Sequence, residues 1–235
     1  MTVEQKLWKN FNKALGQFQL IDEGDHILVG LSGGKDSLLL LEFLARRSHI
    51  LKPSFTLEAL HVRMENIHYE TDTTYLRQFC AHLDVPLHII TTRFDDCQRK
   101  PPCFLCSWQR RKQLFQLAQE HRCSKIALGH HQDDIISTAL MNLTFQGHFS
   151  TMPAKLRMKK MPLTIIRPLA LCTEDDIRSY AESQRYEKQL KRCPYEKDTH
   201  RTSIQQIFQD MQQLNKEARY SIWNALEADD KLIEY

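Results

Sequence analysis

Three groups of residues in this 235-residue chain have types and spacings that could do chemistry. The first is Ser32-Gly33-Gly34-Lys35-Asp36-Ser37, directly after the apolar run Leu28-Val29-Gly30-Leu31. Glycines at a strand-to-helix turn let the backbone bend sharply and bring its N–H groups close to an anion, and the helix N-terminus adds a favourable dipole. Ser32 and Ser37 supply hydroxyls and Lys35 a positive charge, which together suit phosphate oxygens. The string is not a Walker A loop: Val29 stands where that motif needs its first Gly, and Asp36 where it needs Ser or Thr. A Gly-rich turn without a ligand is the plainer alternative, but six specified residues at one junction favour the anion site.

The second group is Gly129-His130-His131-Gln132-Asp133-Asp134. Asp133 and Asp134 fit two readings: magnesium ligands or an acid–base group, or first-turn acids that complement a helix dipole. His130 and His131 fit a ligand role or simple packing. The third group is Cys103-Phe104-Leu105-Cys106, after Pro101-Pro102 and before a helical stretch rich in Arg110, Arg111 and Lys112. Such a pair is a redox dithiol, half a zinc site or half an iron–sulfur site. No second pair exists to close a four-cysteine zinc site. Cys193, flanked by Lys191, Arg192 and Pro194, has a site-like setting, whereas Cys80, Cys97, Cys123 and Cys172 share no spacing and read as packing residues.

The elements that must position these groups follow from hydrophobic period. Val3, Leu7, Phe11, Ala14, Leu15 and Phe18 recur at helical steps. Strands are expected at 26–32, 55–62, 86–91, 125–129 and, as the last one, 163–168. Helices are expected at 37–47, 70–83, 107–121 and 132–143, with only helical patterns after Thr173: 174–184 and one long helix from 202 to about 227. Strands alternating with helices imply an α/β, doubly wound parallel sheet of Rossmann-like type, with helical additions at both ends. The expected division is an N-terminal amphipathic helix over 1–22, a nucleotide-binding domain over 23–170, and a C-terminal helical region over 171–235. Ligands of such sheets bind beyond the carboxyl ends of the strands, where the glycine loop and the Gly129 string both fall.

Hydrophobic residues at 42% and charged residues at 26% suit a folded globular chain rather than a disordered one. The first twenty residues lack the apolar run and small-residue cleavage site of a secretory signal, and the apolar stretch 38–44 is too short to span a bilayer. The expectation is a soluble, cytoplasmic protein without a membrane partner, whose seven cysteines sit in a reducing compartment. Net charge is only +3, but basic residues cluster: Lys155, Arg157, Lys159, Lys160 and Arg167; Arg99, Lys100, Arg110, Arg111 and Lys112; Lys188, Lys191, Arg192, Lys197 and Arg201. Two of these groups surround the cysteines, the arrangement a polyanion such as RNA requires.

The string from Ser32 to Ser37 matches, residue for residue, the pyrophosphate-loop (PP-loop) motif of the N-type ATP pyrophosphatases, and the chain resembles that superfamily. The resemblance implies the adenine nucleotide alpha hydrolase-like fold and an enzyme that splits ATP between its α and β phosphates, with magnesium as co-ligand. It places Ser32, Gly33, Gly34, Lys35, Asp36, Ser37, Gly129 and Asp134 in ATP binding, and Lys35 and Asp133 in catalysis. The Gly-His-x-x-Asp-Asp string is similar to the second signature of tRNA-thiolating members.

Over roughly residues 24 to 200, including Met152-Pro153-Ala154-Lys155-Leu156 and Arg167-Pro168-Leu169, the chain resembles the tRNA 2-thiocytidine synthetase family. That resemblance implies a [4Fe-4S] cluster on Cys103, Cys106 and Cys193, with one iron open to an exogenous sulfide. Members often carry a second cysteine near the third ligand; here Cys193 stands alone. The implied reaction adenylates the C2 oxygen of a tRNA cytidine in the anticodon loop and replaces it with sulfur, supplied by a donor system such as a cysteine desulfurase. Arg110, one helical turn after Cys106, joins the catalytic set because its guanidinium could reach the cluster sulfur or the developing adenylate. Two other classes stay open: a lysidine-synthetase-like ligase without sulfur chemistry, and a non-catalytic nucleotide-binding module with a structural zinc. Oligomeric state is left open, a homodimer included.

Overall fold

The structure is a computed structural model that describes residues 1–94, 101–193 and 200–234. In chain order its elements are α1 (Val3–Gln17), β1 (Asp25–Gly30), α2 (Lys35–Ser48), β2 (Phe55–Met64), β3 (His68–Tyr69), α3 (Thr74–His82), β4 (Leu87–Thr92), α4 (Pro102–Glu120), β5 (Lys125–Ala127), α5 (Gln132–Met141), a π-helical turn (Asn142–Gln146), β6 (Lys155–Arg157), β7 (Thr164–Ile166), α6 (Glu174–Ser183), β8 (Lys191–Arg192), α7 (His200–Leu214), α8 (Ala218–Ala228) and β9 (Ile233–Glu234). They fall into two compact units. One comprises Ile21–Gly129 and Ile177–Glu196; the other comprises Met1–Leu20, His130–Asp176 and Lys197–Tyr235.

The first unit holds four strands in the order β4-β2-β1-β5, all parallel. Their apolar residues face helices on either side. Leu38 to Leu41, Phe43 and Leu44 of α2 are buried, as are Ile27, Val29, Ala59 and Leu60 of the sheet. Glu42 interrupts that apolar run because the hydroxyls of Tyr180 and Tyr186 both donate to its carboxylate. Successive crossovers from β1 to β2 and β2 to β4 step one way, and the crossover from β4 to β5 steps back past β1. Right-handed connections therefore put α2 and α3 on one face and α4 on the other. The reversal leaves a crevice at the carboxyl ends of β1 and β5, the usual place for a ligand in an open α/β sheet. A separate two-stranded antiparallel ribbon pairs β3 with β8.

In the second unit β6 pairs antiparallel with β7 and parallel with β9. Helix α1 starts at a capping box, Thr2 with Gln5, and buries Leu7, Phe11 and Ala14. The single long helix expected after residue 202 is two, α7 and α8. Between them Asn215 accepts the Glu217 N–H through its side chain and the Ala218 N–H through its carbonyl. A side chain that bonds the backbone locally offers an alternative to the helix.

The other departures have similar causes. Strands β3, β6, β8 and β9 have only two or three residues each, too short for a period to register. The helix expected from Glu70 begins at Thr74, after β3 has used His68 and Tyr69 as strand. Among the described residues no helix is long and apolar enough to cross a membrane.

Candidate active site

Helix α2 starts at Lys35 with Gly34 as its N-cap. Gly33 has φ +84°, a conformation L side chains rarely adopt. The loop is tied by its own serines. Ser32 Oγ donates to Ser37 Oγ at 3.1 Å, Ser37 Oγ donates to the Gly34 carbonyl at 2.9 Å, and the N–H groups of Gly33 and Gly34 donate to Ser37 Oγ and Ser32 Oγ. Lys35 Nζ stands 3.1 Å from Asp36 Oδ1. This is a small concave nest of N–H donors, hydroxyls and one ammonium at the head of a helix. At the end of β5, Gly129 closes against it: a Cβ there would lie 3.0 Å from the carbonyl carbon and oxygen of Asp36 and 3.1 Å from the Ser37 nitrogen.

The loop is also held from the side. A Cβ on Gly33 would lie 2.5 Å from Gln189 Cγ, and the Gln189 N–H donates to the Gly33 carbonyl at 3.0 Å. Two residues on, β8 pairs with β3, Tyr69 opposite Lys191 and His68 opposite Arg192, so Cys193 emerges directly from this ribbon. The Glu70 N–H donates to the Leu190 carbonyl and the Leu190 N–H to Thr71 Oγ1, which extends the grip. Tyr69 links the ribbon to α4: Arg110 Nη2 donates to its hydroxyl at 3.1 Å, and the Arg63 guanidinium lies over its ring at 4.5 Å.

Helix α4 begins earlier than its sequence suggested. Pro102 takes the first helical position, where its missing N–H costs nothing, so Cys103 and Cys106 lie within the helix, as its second and fifth residues, rather than ahead of it. Spaced three apart, they share a face of the helix. Cys103 is exposed, and Cys106 and Cys193 are half-buried. Cys80, Cys123 and Cys172 are buried instead, and desolvation pushes their thiols up to about 11, 11 and 12. Among the described cysteines only the first three have the access a thiolate ligand needs. Cys97 lies outside the described residues. Near the pair, Arg110 Nε is buried without a hydrogen-bond partner in the structure, a donor left over for an anionic group. Three accessible soft donors, two of them at a helix N-terminus, and an orphaned guanidinium N–H fit a negatively charged iron–sulfur cluster.

Periodicity did not single out His61, Tyr69 or Gln189. His61 Nδ1 donates to the Leu31 carbonyl at 2.7 Å, and its Nε2 is buried without a partner. Burial lowers its pKa and the nearby charges of Arg110 and Arg63 lower it further, against the Leu31 bond. A lone histidine in Ala59-Leu60-His61-Val62, near the carboxyl end of a buried strand, was the one available signal.

In the second unit, α5 carries Asp133 and Asp134. The His131 N–H donates to Asp134 Oδ2 at 3.1 Å. Both Asp133 oxygens are engaged, Oδ1 by Arg219 at 2.6 Å and Oδ2 by the Glu174 N–H at 2.8 Å. Burial acts to raise the Asp133 pKa, but the His131 ring 3.6 Å away, the Arg219 guanidinium and the Glu174 N–H overcome it and hold the carboxyl well below its usual range. So held, Asp133 is a fixed negative charge.

Arg167 leaves the expected basic surface. It is buried, its guanidinium donating to the Pro153 carbonyl and to His130 Nδ1, and desolvation pushes its pKa down to about 10. Arg157, Lys159, Lys160, Arg111 and Lys112 are exposed. Arg99, Lys100 and Lys197 lie outside the described residues.

The loop and the parallel sheet together define a class. A family model described as a PP-loop domain matches residues 3–206, and the chain belongs to that family. Two curated relatives narrow it. The tRNA-cytidine(32) 2-sulfurtransferase of Aeromonas salmonicida is 34% identical over 215 residues, covering 88% of this chain and 70% of the relative. That of Coxiella burnetii is 33% identical over 231 residues, covering 95% of this chain and 90% of the relative. Within the PP-loop proteins the chain thus belongs to the tRNA-cytidine(32) 2-sulfurtransferase family. Among solved structures, the U34-tRNA thiolase NcsA from Methanococcus maripaludis with its [4Fe-4S] cluster is similar at a TM-score of 0.78, 26% identity, and coverage of 96% of this chain and 78% of that one.

Proposed function

We propose that the chain is an ATP-dependent tRNA sulfurtransferase that adenylates the C2 oxygen of a tRNA cytidine and replaces it with sulfur, giving 2-thiocytidine. One observation carries the reading: residues 189–193 are anchored on the glycine loop at one end and on β3 at the other, and Tyr69 of β3 is bonded by the helix that bears Cys103 and Cys106. The loop that would hold ATP and the three accessible cysteines are thereby tied into one hydrogen-bonded assembly.

The chemistry follows from the groups present. The C2 oxygen attacks the α-phosphorus of ATP and the bond to pyrophosphate breaks. Lys35, the serine hydroxyls and the loop N–H groups stabilise charge on the departing pyrophosphate, where it grows most in the transition state. The ligand's oxygens would take over the N–H groups of Gly33 and Gly34 that Ser37 and Ser32 now accept, so the nest is held open before binding. A sulfur nucleophile then forms the C2–S bond and AMP leaves with the former oxygen. A [4Fe-4S] cluster on Cys103, Cys106 and Cys193 would supply an iron without a protein ligand at which sulfur is presented. Arg110, oriented by Tyr69, would offer its unpartnered Nε–H to that anionic centre.

Asp133, held by Arg219, sets a fixed charge at the start of α5, and Asp134 is the carboxylate proposed for magnesium. Exposed Arg111, Lys112, Arg157, Lys159 and Lys160 would contact the tRNA backbone, so binding should weaken steeply with salt. A cysteine desulfurase as sulfur source and a cytoplasmic setting complete the reading.

The test is anaerobic purification, iron and sulfide analysis, and mass spectrometry of tRNA nucleosides after reaction. 2-Thiocytidine should form only with ATP and the brown protein, and Lys35→Ala should abolish it while leaving iron bound. Undiminished thiolation by Lys35→Ala, or by colourless protein, would overturn the reading.

A further inference from the structure

At the opposite ends of the same strands lies a second group of ligating side chains. His26 is the second residue of β1, Glu58 the fourth of β2 and His88 the second of β4. Parallel register pairs Glu58 with Leu28, two residues from His26, and His88 with Leu60, two residues from Glu58. Paired residues face the same side and side chains alternate along a strand, so the three project from one face across the neighbouring strands β1, β2 and β4. Helix α4 packs on that face, and its C-cap residue is His121.

The three imidazoles converge on the Glu58 carboxylate. His26 Nε2 is 2.9 Å from Glu58 Oε1, and His88 Nε2 and His121 Nδ1 are 2.6 and 2.7 Å from Oε2. The rings of His88 and His121 meet edge-on, 4.7 Å apart at 83°, which lets both nitrogens aim at one spot. The ligating atoms of Glu58, His88 and His121 lie within 4.8 Å of one another.

From these positions we propose a site for a divalent transition metal of the zinc class, held by Glu58, His88 and His121 with His26 as the fourth donor. Imidazole nitrogens with one carboxylate are a zinc donor set, whereas magnesium and calcium prefer all-oxygen shells. Metal–nitrogen bonds of about 2.0–2.1 Å put neighbouring ligand atoms about 3.3 Å apart in a tetrahedron, so the contacts of Glu58 Oε2 with His88 and His121, at 2.6 and 2.7 Å, need to open by only tenths of an ångström, while His26, now on Oε1, would swing in to complete the shell. The histidine side chains are 27–33% exposed, which leaves an entry path. The carboxyl end of α4 points its last carbonyls here and favours a cation.

Six residues of strand separate His26 from Ser32, roughly 20 Å, so the site is distinct from the glycine loop. Its occupant would pin three strands to the far end of the helix whose first five residues include Cys103 and Cys106. It is therefore a structural clamp behind the cysteine pair.

Zinc also binds thiolates, so the test begins with untagged protein carrying Cys103→Ser, Cys106→Ser and Cys193→Ser. Titration with cobalt should give one ion per chain, with visible d–d bands and no sulfur-to-cobalt charge transfer in the near ultraviolet. Zinc should displace it and raise the melting temperature; magnesium should do neither. Adding His88→Ala and His121→Ala should remove the cobalt bands and the thermal shift. Should the serine background fail to fold, the wild-type enzyme with its cluster in place is assayed for zinc. One equivalent, removed by chelator without loss of the iron–sulfur absorption, supports the site. No bound ion, or stoichiometric binding that survives loss of both histidines, overturns it.

Discussion

The two rims of the parallel sheet in the first unit are built from the same strands and present opposite chemistry. At the carboxyl ends, β1 runs into backbone N–H donors, two serines and a lysine at the start of a helix. At the amino ends, His26 of β1, His88 of β4 and His121 at the end of α4 gather on the Glu58 carboxylate of β2. The contrast follows from strand polarity. In a parallel sheet every helix begins near the carboxyl rim and ends near the amino rim, so one rim receives the positive ends of the helix dipoles and the other the negative ends. The first suits the phosphates of a nucleotide; the second suits a cation.

Three substitutions would break or sharpen that contrast. The largest effect is expected from Gly33→Ala. Its Cβ would stand 2.5 and 2.7 Å from the Gln189 side chain at φ +84°, and would displace both the loop and the segment leading to Cys193. A misplacement on the order of 1 Å in such a site costs about 100-fold, so ATP-dependent pyrophosphate release should fall by about that factor or more; near-normal release would separate the loop from the reaction.

At the amino rim, Glu58→Ala leaves three imidazoles without their shared acceptor. Burial favours a raised Glu58 pKa, but hydrogen bonds from His88 and His121 and the neighbouring histidines outweigh it, so the carboxylate is the stable form. Losing it should cost about 1–3 kcal/mol in urea unfolding, the range for removing one partner of hydrogen-bonded polar groups.

The smallest effect concerns His61 at the carboxyl rim. Burial, with Arg110 and Arg63 close by, depresses its pKa from 6.5 despite the Leu31 bond. Between the depressed folded value and 6.5 the unfolded chain binds the extra proton. The contribution to stability is therefore complete above 6.5 and declines as pH falls below it. His61→Gln should flatten that part of the stability–pH curve; an unchanged slope would show that His61 does not titrate as described.

Much of this was legible in the chain itself. The alternation of apolar runs predicts β1, β2, β4 and β5 and the helices between them, because each buries a face with its own period. The motif at Ser32–Ser37 marks the helix N-terminus that the structure shows, since glycine suits the positive φ that the turn takes at Gly33. The ribbon of β3 with β8 was not legible. Two residues carry no period, and pairing His68 with Arg192 depends on a contact more than a hundred residues distant in the chain. The same is true of Glu58, His88 and His121, three unremarkable polar residues until register aligns them. Arg167 shows the reverse error: it reads as one of a basic run, and only packing shows it buried against His130 and Pro153.

Local sequence determines what depends on nearest neighbours: where helices and strands lie, which turn can cradle phosphate, and which cysteines stand at a helix start. Tertiary structure decides what depends on distant partners. It ties Cys193 to the glycine loop through Gln189, aims Arg110 with Tyr69, buries Cys80, Cys123 and Cys172 beyond use, and collects histidines from two strands and a helix on a carboxylate from a third strand. The reason is that a side chain's burial and its neighbours set its charge and reach, and neither exists until the chain has closed upon itself.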